Sequence, residues 1–346
     1  MKAAVFEGPP GSWPDKPMTI REVDVPEIGS HDVLVRVAAC GLCRTDLEYL
    51  KEGLHPPKAP PLILGHEPSG IIEEVGEEVK NVKVGDKVII PFTITCGYCN
   101  YCRSGQENLC SNAEIIGASR DGAFAEYVSI PAKNAYPLPP ELSLVESAVI
   151  TDAVASPVHA VINIAEVKPG DNVVIYGASG GLGLVIVQIA SALGANVIGV
   201  GRKHWKLDKA KQFGAFHVIS TLEEERVDKA IKKITNNGAD IAFDATGMPE
   251  MIHLAVNSIR PGGKVVVVGL SPFKVEISIN KLLWFEQKIF GSRTYRPVDF
   301  FRAVEMVRKK MINIDDLISH RFDLDEINKG YHMLDSGEIL RGIVVF

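Results

Sequence analysis

The chain has 346 residues, 46% of them hydrophobic and 23% charged, with a formal net charge of −6. That length suggests about two domains, the composition is that of an ordinary globular protein, and the negative balance argues against a general nucleic-acid binder. The N-terminal MKAAVFEGPPG lacks the apolar stretch of a signal peptide, and no apolar run is expected to reach the roughly 18 residues of a membrane span, so the expectation is a cytoplasmic protein with neither nucleic-acid nor membrane partners.

Up to about residue 150 the chain is rich in short β patterns and Pro/Gly punctuation. DVLVRVAAC, SGIIEEV and DKVIIPF read as strands broken by turns, which implies a compact, mostly β domain. Within it, TCGYCNYCRSGQENLC gathers Cys96, Cys99, Cys102 and Cys110 at a C-x2-C-x2-C-x7-C spacing. Four thiolates that close can surround one Zn²⁺ tetrahedrally and leave no open position, which makes a structural site. The alternatives are two disulfides or an iron–sulfur cluster; a chain without secretory features and with this spacing favours neither. Cys43, in GLCRTD, and His66 with Glu67, in LILGHEPSG, supply the thiolate and imidazole that begin a catalytic zinc site, one that keeps a position open. A third protein ligand is needed, and neither segment supplies it. Cys40 and Cys43 also form a C-x-x-C pair, but without a thioredoxin-like context Cys40 reads as a small buried residue. Thr45 and Asp46 could cap a helix starting at Leu47.

From about residue 170 strands and helices alternate. DNVVIYG, NVIGVG, HVIS, DIAFDATG and KVVVVGL read as strands. Helices are expected at GLVIVQIASALG, HWKLDKAKQFG, through EEERVDKAIKKIT and from Glu250. This rhythm means βαβ units and a parallel sheet. Between the first strand and helix lies Gly177-Ala178-Ser179-Gly180-Gly181-Leu182-Gly183. Glycines there permit a tight turn and close approach of backbone N–H groups to a pyrophosphate, and the helix N-terminus adds its positive dipole end. A glycine motif in that context is a strong dinucleotide signal. An NAD-type site places an acid at the end of the next strand; here that position reads Gly201-Arg202-Lys203-His204. Arg202 and Lys203 suit a 2′-phosphate, so NADP(H) is expected over NAD(H), the alternative being that both are solvated helix-start residues. After about 290 a helix at VDFFRAVEMVRKK and a final strand, RGIVVF, are expected, the strand returning to pair with the first domain.

GLCRTD, GHEPSG, the four-cysteine lobe, DGAFAEYVSIP and GASGGLG together resemble the zinc-dependent medium-chain alcohol dehydrogenases, over essentially the whole chain. The resemblance implies an α/β protein with a GroES-like, mostly β catalytic domain over 1–153, its structural zinc lobe at about 92–112. A Rossmann coenzyme domain would follow over 154–291, and 292–346 would return to the catalytic domain. It implies Cys43 and His66 as catalytic zinc ligands, Asp46 orienting the histidine, Glu67 as an exchange ligand and Thr45 as proton carrier. Arg44 and Arg341 would meet the cofactor pyrophosphate. In place of the family's usual third cysteine ligand stands Asp152; the alternatives are His159 or no catalytic zinc. Glu48 occupies the place of a proton-relaying histidine. Two zincs per subunit, one catalytic and one structural, and a homotetramer, or else a dimer, are further implications. The activity implied is reversible hydride transfer between an alcohol or polyol and NADP(H) through a zinc-bound alkoxide. The alternatives are an NADPH-dependent enoyl or quinone reductase of the same fold without catalytic zinc, and a non-enzymatic nucleotide-binding protein.

Overall fold

The structure is a computed structural model and describes all 346 residues. The chain divides into two compact units: Met1–Asp152 with Arg296–Phe300 and Ile314–Phe346, and Ala153–Tyr295 with Phe301–Asn313. The expected first boundary after residue 153 lies one residue from this division. The expected return of 292–346 in one piece does not hold. Residues 301–313, which carry most of the helix Pro297–Arg308, belong to the second unit.

The first unit is built on a seven-stranded sheet around Asp32–Gly41. This strand is buried along most of its length and pairs antiparallel with Pro68–Val75, Tyr127–Pro131 and the terminal strand Gly342–Val345. The return of the last strand is thus as expected. Register does the placing: Cys40 faces Pro68, and Gly41 faces Ile343. The residues just beyond these ends are therefore neighbours. Gly41 N–H donates to Glu67 O at 3.0 Å and Leu42 N–H to Gly342 O at 2.9 Å. Cys43, His66–Glu67 and Arg341 meet at one edge of the sheet because three strand ends meet there.

The second unit holds a six-stranded parallel sheet. In chain order its strands are Asn172–Tyr176, Asn196–Gly201, His217–Ser220, Ala239–Asp244, Ile259–Val267 and Lys288–Gly291, and their spatial order is 3-2-1-4-5-6. Strands buried on both faces explain the continuous apolar runs. Val174, Tyr176, Ile198, Val200, Ala242 and Val265 form the core beside them. The sequence reverses direction between strands one and four, and a doubly wound sheet binds its ligand outside the strand ends at that point. The glycine loop leaves the C-terminal end of Asn172–Tyr176, the right place for it.

Several local expectations are corrected. The first helix is Arg44–Leu50 with Cys43 at its N-cap and no capping side chain, so Thr45 and Asp46 lie inside its first turn rather than before it. The charged helix forms only over Val227–Ile234; Glu223 and Glu224 are held in a turn, their N–H groups donating to Ser220 O. The helix Ile279–Phe285 and the sixth strand Lys288–Gly291 carried no clear periodicity and were not anticipated. The helical run Glu146–Ile164 is long and apolar enough by length and composition to cross a membrane, contrary to expectation, yet 78% of its apolar window is buried in the protein. That is the behaviour of a core segment.

At the glycine loop, a Cβ on Gly183 would lie 2.1 Å from Gly177 O, a backbone atom that cannot step aside. Gly183→Ala should therefore cost on the order of 1–3 kcal/mol of stability and at least tenfold in dinucleotide affinity, read by thermal unfolding and by fluorescence titration with the reduced cofactor.

Candidate metal centres and dinucleotide loop

The four lobe cysteines converge. Their sulfurs lie 3.5 Å (Cys99–Cys102), 3.6 Å (Cys96–Cys110) and 3.9 Å (Cys96–Cys102 and Cys99–Cys110) apart. A disulfide needs about 2.05 Å, so these are free thiols. Tetrahedral ligands about 2.3 Å from zinc stand about 3.8 Å from one another, which is the spacing found. Backbone N–H groups of Cys96 and Cys99 point at the sulfurs of Cys110 and Cys96, both at 3.4 Å. Such donors favour thiolate.

The second group lies wholly in the first unit. Ligand atoms of Cys43, His66, Glu67 and Asp152 fall within 4.8 Å of one another. Cys43 Sγ is 3.5 Å from Asp152 Oδ2, and His66 Nε2 is 3.6 Å from the same oxygen. For zinc bonds of about 2.0–2.3 Å to N, O and S, tetrahedral edges run to about 3.4–3.6 Å, so the three donors suit the ion. Asp152 is thereby placed with Cys43 and His66, and His159 belongs to the other unit. Behind the imidazole, Asp46 Oδ1 lies 3.4 Å from Nδ1, which leaves Nε2 to face the thiol and Asp152. A carboxylate behind a metal-binding histidine fixes its tautomer in this way. Phe92 packs edge-on against the ring, centroids 5.4 Å apart.

Electrostatics point the same way. Cys43, Asp46 and Glu67 are buried and Asp152 nearly so, and the Arg341 guanidinium pairs with Glu67. Burial disfavours the His66 imidazolium, but the neighbouring Asp46, Cys43 and Asp152 outweigh it and hold its pKa well above the ordinary range. Burial pushes up both the Cys43 thiol and the Glu67 carboxyl, His66 opposing the first shift and Arg341 the second. Glu67 Oε1 accepts from Arg341 Nη2, whereas Oε2 has no hydrogen-bond donor. A pocket of this kind demands a cation. Gly41 makes room for the Glu67 side chain: a Cβ there would fall 2.0 Å from Glu67 Oε2. Sequence reasoning missed Gly41, whose only signal is its place in GLCRTD.

Thr45 Oγ1 lies 3.5 Å from Cys43 Sγ. Glu48, three residues on, is buried, and that burial raises its carboxyl pKa against the pull of Arg44. Arg44 is exposed, whereas Arg341 is buried on Glu67. Cys40 is fully buried, as expected of a packing residue.

In the second unit, Gly180 caps the helix Gly181–Ala192, so Gly181, Leu182 and Gly183 form its first turn, where N–H groups lack intrahelical acceptors. Ser179 packs beside Gly201, whose missing Cβ would lie 2.7 Å from Ser179 Oγ. Arg202 is exposed and Lys203 caps the helix His204–Gln212. Lys206 was not anticipated as part of this group. Lys206 is buried, and burial together with Lys203 and Arg202 pushes its pKa down to about 8. Asp244 serves its turn, accepting from Thr246 and Gly247.

Residues 29–140 match the alcohol dehydrogenase GroES-like domain and residues 181–309 the zinc-binding dehydrogenase domain. An L-threonine 3-dehydrogenase of Burkholderia thailandensis is 34% identical over 327 residues, 93% of each chain. A zinc-binding dehydrogenase from Sinorhizobium meliloti, solved bound to NADP, is 32% identical with a TM-score of 0.87, covering 100% of this chain and 99% of that one. An NAD-dependent alcohol dehydrogenase superposes with a TM-score of 0.92 at 26% identity, covering 100% of both chains. The metal-binding donor sets, the GroES-like and Rossmann units and these relatives agree, and the chain belongs to the zinc-dependent medium-chain dehydrogenases.

Proposed function

We propose that the chain is a zinc-dependent, NADP(H)-linked dehydrogenase of a small polar alcohol. The observation that carries this is the convergence of Cys43 Sγ, His66 Nε2 and Asp152 Oδ2 at 3.5–3.6 Å. When bound, zinc supplies Lewis-acid polarisation of the alcohol oxygen and the nicotinamide accepts the hydride. The chain's own residues do the rest. Cys43, His66 and Asp152 would hold the metal, and a thiolate and a carboxylate there would offset its two positive charges. Thr45, beside Cys43, accepts the hydroxyl proton. Glu48 lies three residues along the same helix, on the same face, and its raised pKa suits it to take that proton onward. Arg341 opposes the rise that burial gives the Glu67 pKa, and Arg44 with Arg341 is assigned to the cofactor pyrophosphate.

NADP(H) rests on Arg202 and Lys203, on buried Lys206 beside them, and on the absence of a carboxylate at that strand end. The L-threonine 3-dehydrogenase relatives make hydroxy amino acids and polyols the first substrates to try. A homo-oligomer, a tetramer or a dimer, fits the open edge strand Lys288–Gly291 and the neighbouring exposed Ile279, Leu283 and Trp284, the last 77% exposed. The six free thiols suit the reducing cytoplasm.

Metal analysis should give two zincs per chain. Cys43→Ala and Asp152→Ala should each keep the lobe metal, lose the other and lose at least about 10³ in alcohol oxidation, a Lewis acid being worth several kcal/mol. Undiminished activity in Cys43→Ala with one zinc would favour the zinc-free reductase. Arg202→Ala combined with Lys203→Ala should cost NADP⁺ about 10–100-fold in kcat/KM and leave NAD⁺ nearly unchanged. Lys206 is a cation below pH 8 and loses its charge as the pH rises through that value, so the preference for NADP⁺ should narrow at alkaline pH. Lys206→Met should flatten that profile. Leu283→Glu should release smaller species, measured by light scattering.

A further inference from the structure

Asp46 holds His66, but nothing in the metal site explains what holds Asp46. Its carboxylate is fully buried. Oδ1 stands 3.4 Å from His66 Nδ1, too long for good hydrogen-bond geometry, and has no other partner. Oδ2 accepts a 2.5 Å hydrogen bond from the hydroxyl of Tyr331, a residue 285 positions away. The aim of the carboxylate toward the imidazole is thus set from its other oxygen.

Tyr331 is itself fixed. It is fully buried, packs edge-on against Phe124 with centroids 6.0 Å apart, and lies on the helix Ile327–Asp335. At the end of that helix Asp335 accepts from Lys51 Nζ at 2.8 Å through both oxygens. The C-terminal helix therefore grips the segment Arg44–Lys51 at two points, a dry one at Asp46 and a more exposed one at Lys51. A buried carboxylate gains most from the dry one, because there water cannot replace the lost donor.

Resting on the reading of Cys43, His66 and Asp152 as a metal site, we propose that Tyr331 is a positioning residue of that site, its hydroxyl orienting Asp46 so that Asp46 orients His66. The Tyr331→Phe variant keeps the ring and its packing and removes only the donor. Asp46 then turns more freely, and His66 is a less well-aimed ligand. Loss of such an outer partner typically lowers metal affinity about 10–100-fold.

The test uses the full-length protein. Zinc affinity of the second site is measured by chelator competition, the four-cysteine lobe serving as internal reference. The ligand-field bands are recorded after cobalt replaces zinc in that site, and Lys51→Met, which removes the other grip, is the control. Expected are at least a tenfold loss of zinc affinity and shifted cobalt bands in Tyr331→Phe, with the lobe still loaded. Lys51→Met should match the parent in both. Unchanged affinity and bands in Tyr331→Phe, or equal changes in both variants, overturn the proposal and reduce Tyr331 to a core residue. If the parent protein takes up only the lobe metal, the metal-site reading fails and the proposal with it. Two metals in the parent with an unchanged Tyr331→Phe remove the proposal alone.

Discussion

The first unit is organised around an electrostatic imbalance. Cys43, Asp46, Glu67 and Asp152 crowd together in or near a dry interior with Arg341 as their fixed positive partner. Burying one uncompensated carboxylate is already costly; several of them in contact are tolerable only if a cation joins or protons stay on. The histidine responds to this crowding with a raised pKa, while burial first, and the neighbouring carboxylates after it, push the thiol up. A divalent ion bound there would replace those protons and relieve the repulsion at once. Much of the surrounding structure reads as provision for it: Gly41 clears space for Glu67, Arg341 balances it, and Asp46 turns His66.

The imbalance can be sustained because rigid backbone imposes it. The strand Asp32–Gly41 is paired on both edges, and its final residue hydrogen-bonds to the start of the neighbouring strand. The ligands hang from the ends of regular elements rather than from free loops. The lobe solves a different problem. Its four sulfurs come from fifteen consecutive residues with little core of their own, so a bound metal would supply the order that packing cannot.

What was legible in the sequence follows from locality. The lobe, the glycine loop and the βαβ rhythm are each written in a short window, and the structure places them as read. The convergence of Cys43, His66 and Asp152 was legible because their motifs bring a family with them; spacing alone could not join them across more than a hundred residues. Tyr331 and Lys206 could not be found that way. A tyrosine in an amphipathic helix reads as core, and one more lysine in HWKLDKAKQFG reads as a solvated face. The helix Ile279–Phe285 hides for another reason: at seven residues, five of them apolar, it is too short and too uniformly apolar to show a period. The run Glu146–Ile164 misleads in the opposite sense, since a segment buried on nearly all sides carries the composition of a membrane helix.

The discontinuity of the first unit has a consequence for how the protein is made. The lobe is complete once residue 110 has been synthesised, and its thiols could capture an ion while most of the chain is still to come. The other centre cannot be finished then. Its strand Asp32–Gly41 waits for Gly342–Val345, Asp46 waits for Tyr331, and Glu67 waits for Arg341. An ion bound at the lobe could therefore enter early, whereas one at Cys43, His66 and Asp152 would find its surroundings complete only after residues 331–345 are in place. A nascent or truncated chain would carry its structural ion and yet have no finished catalytic site.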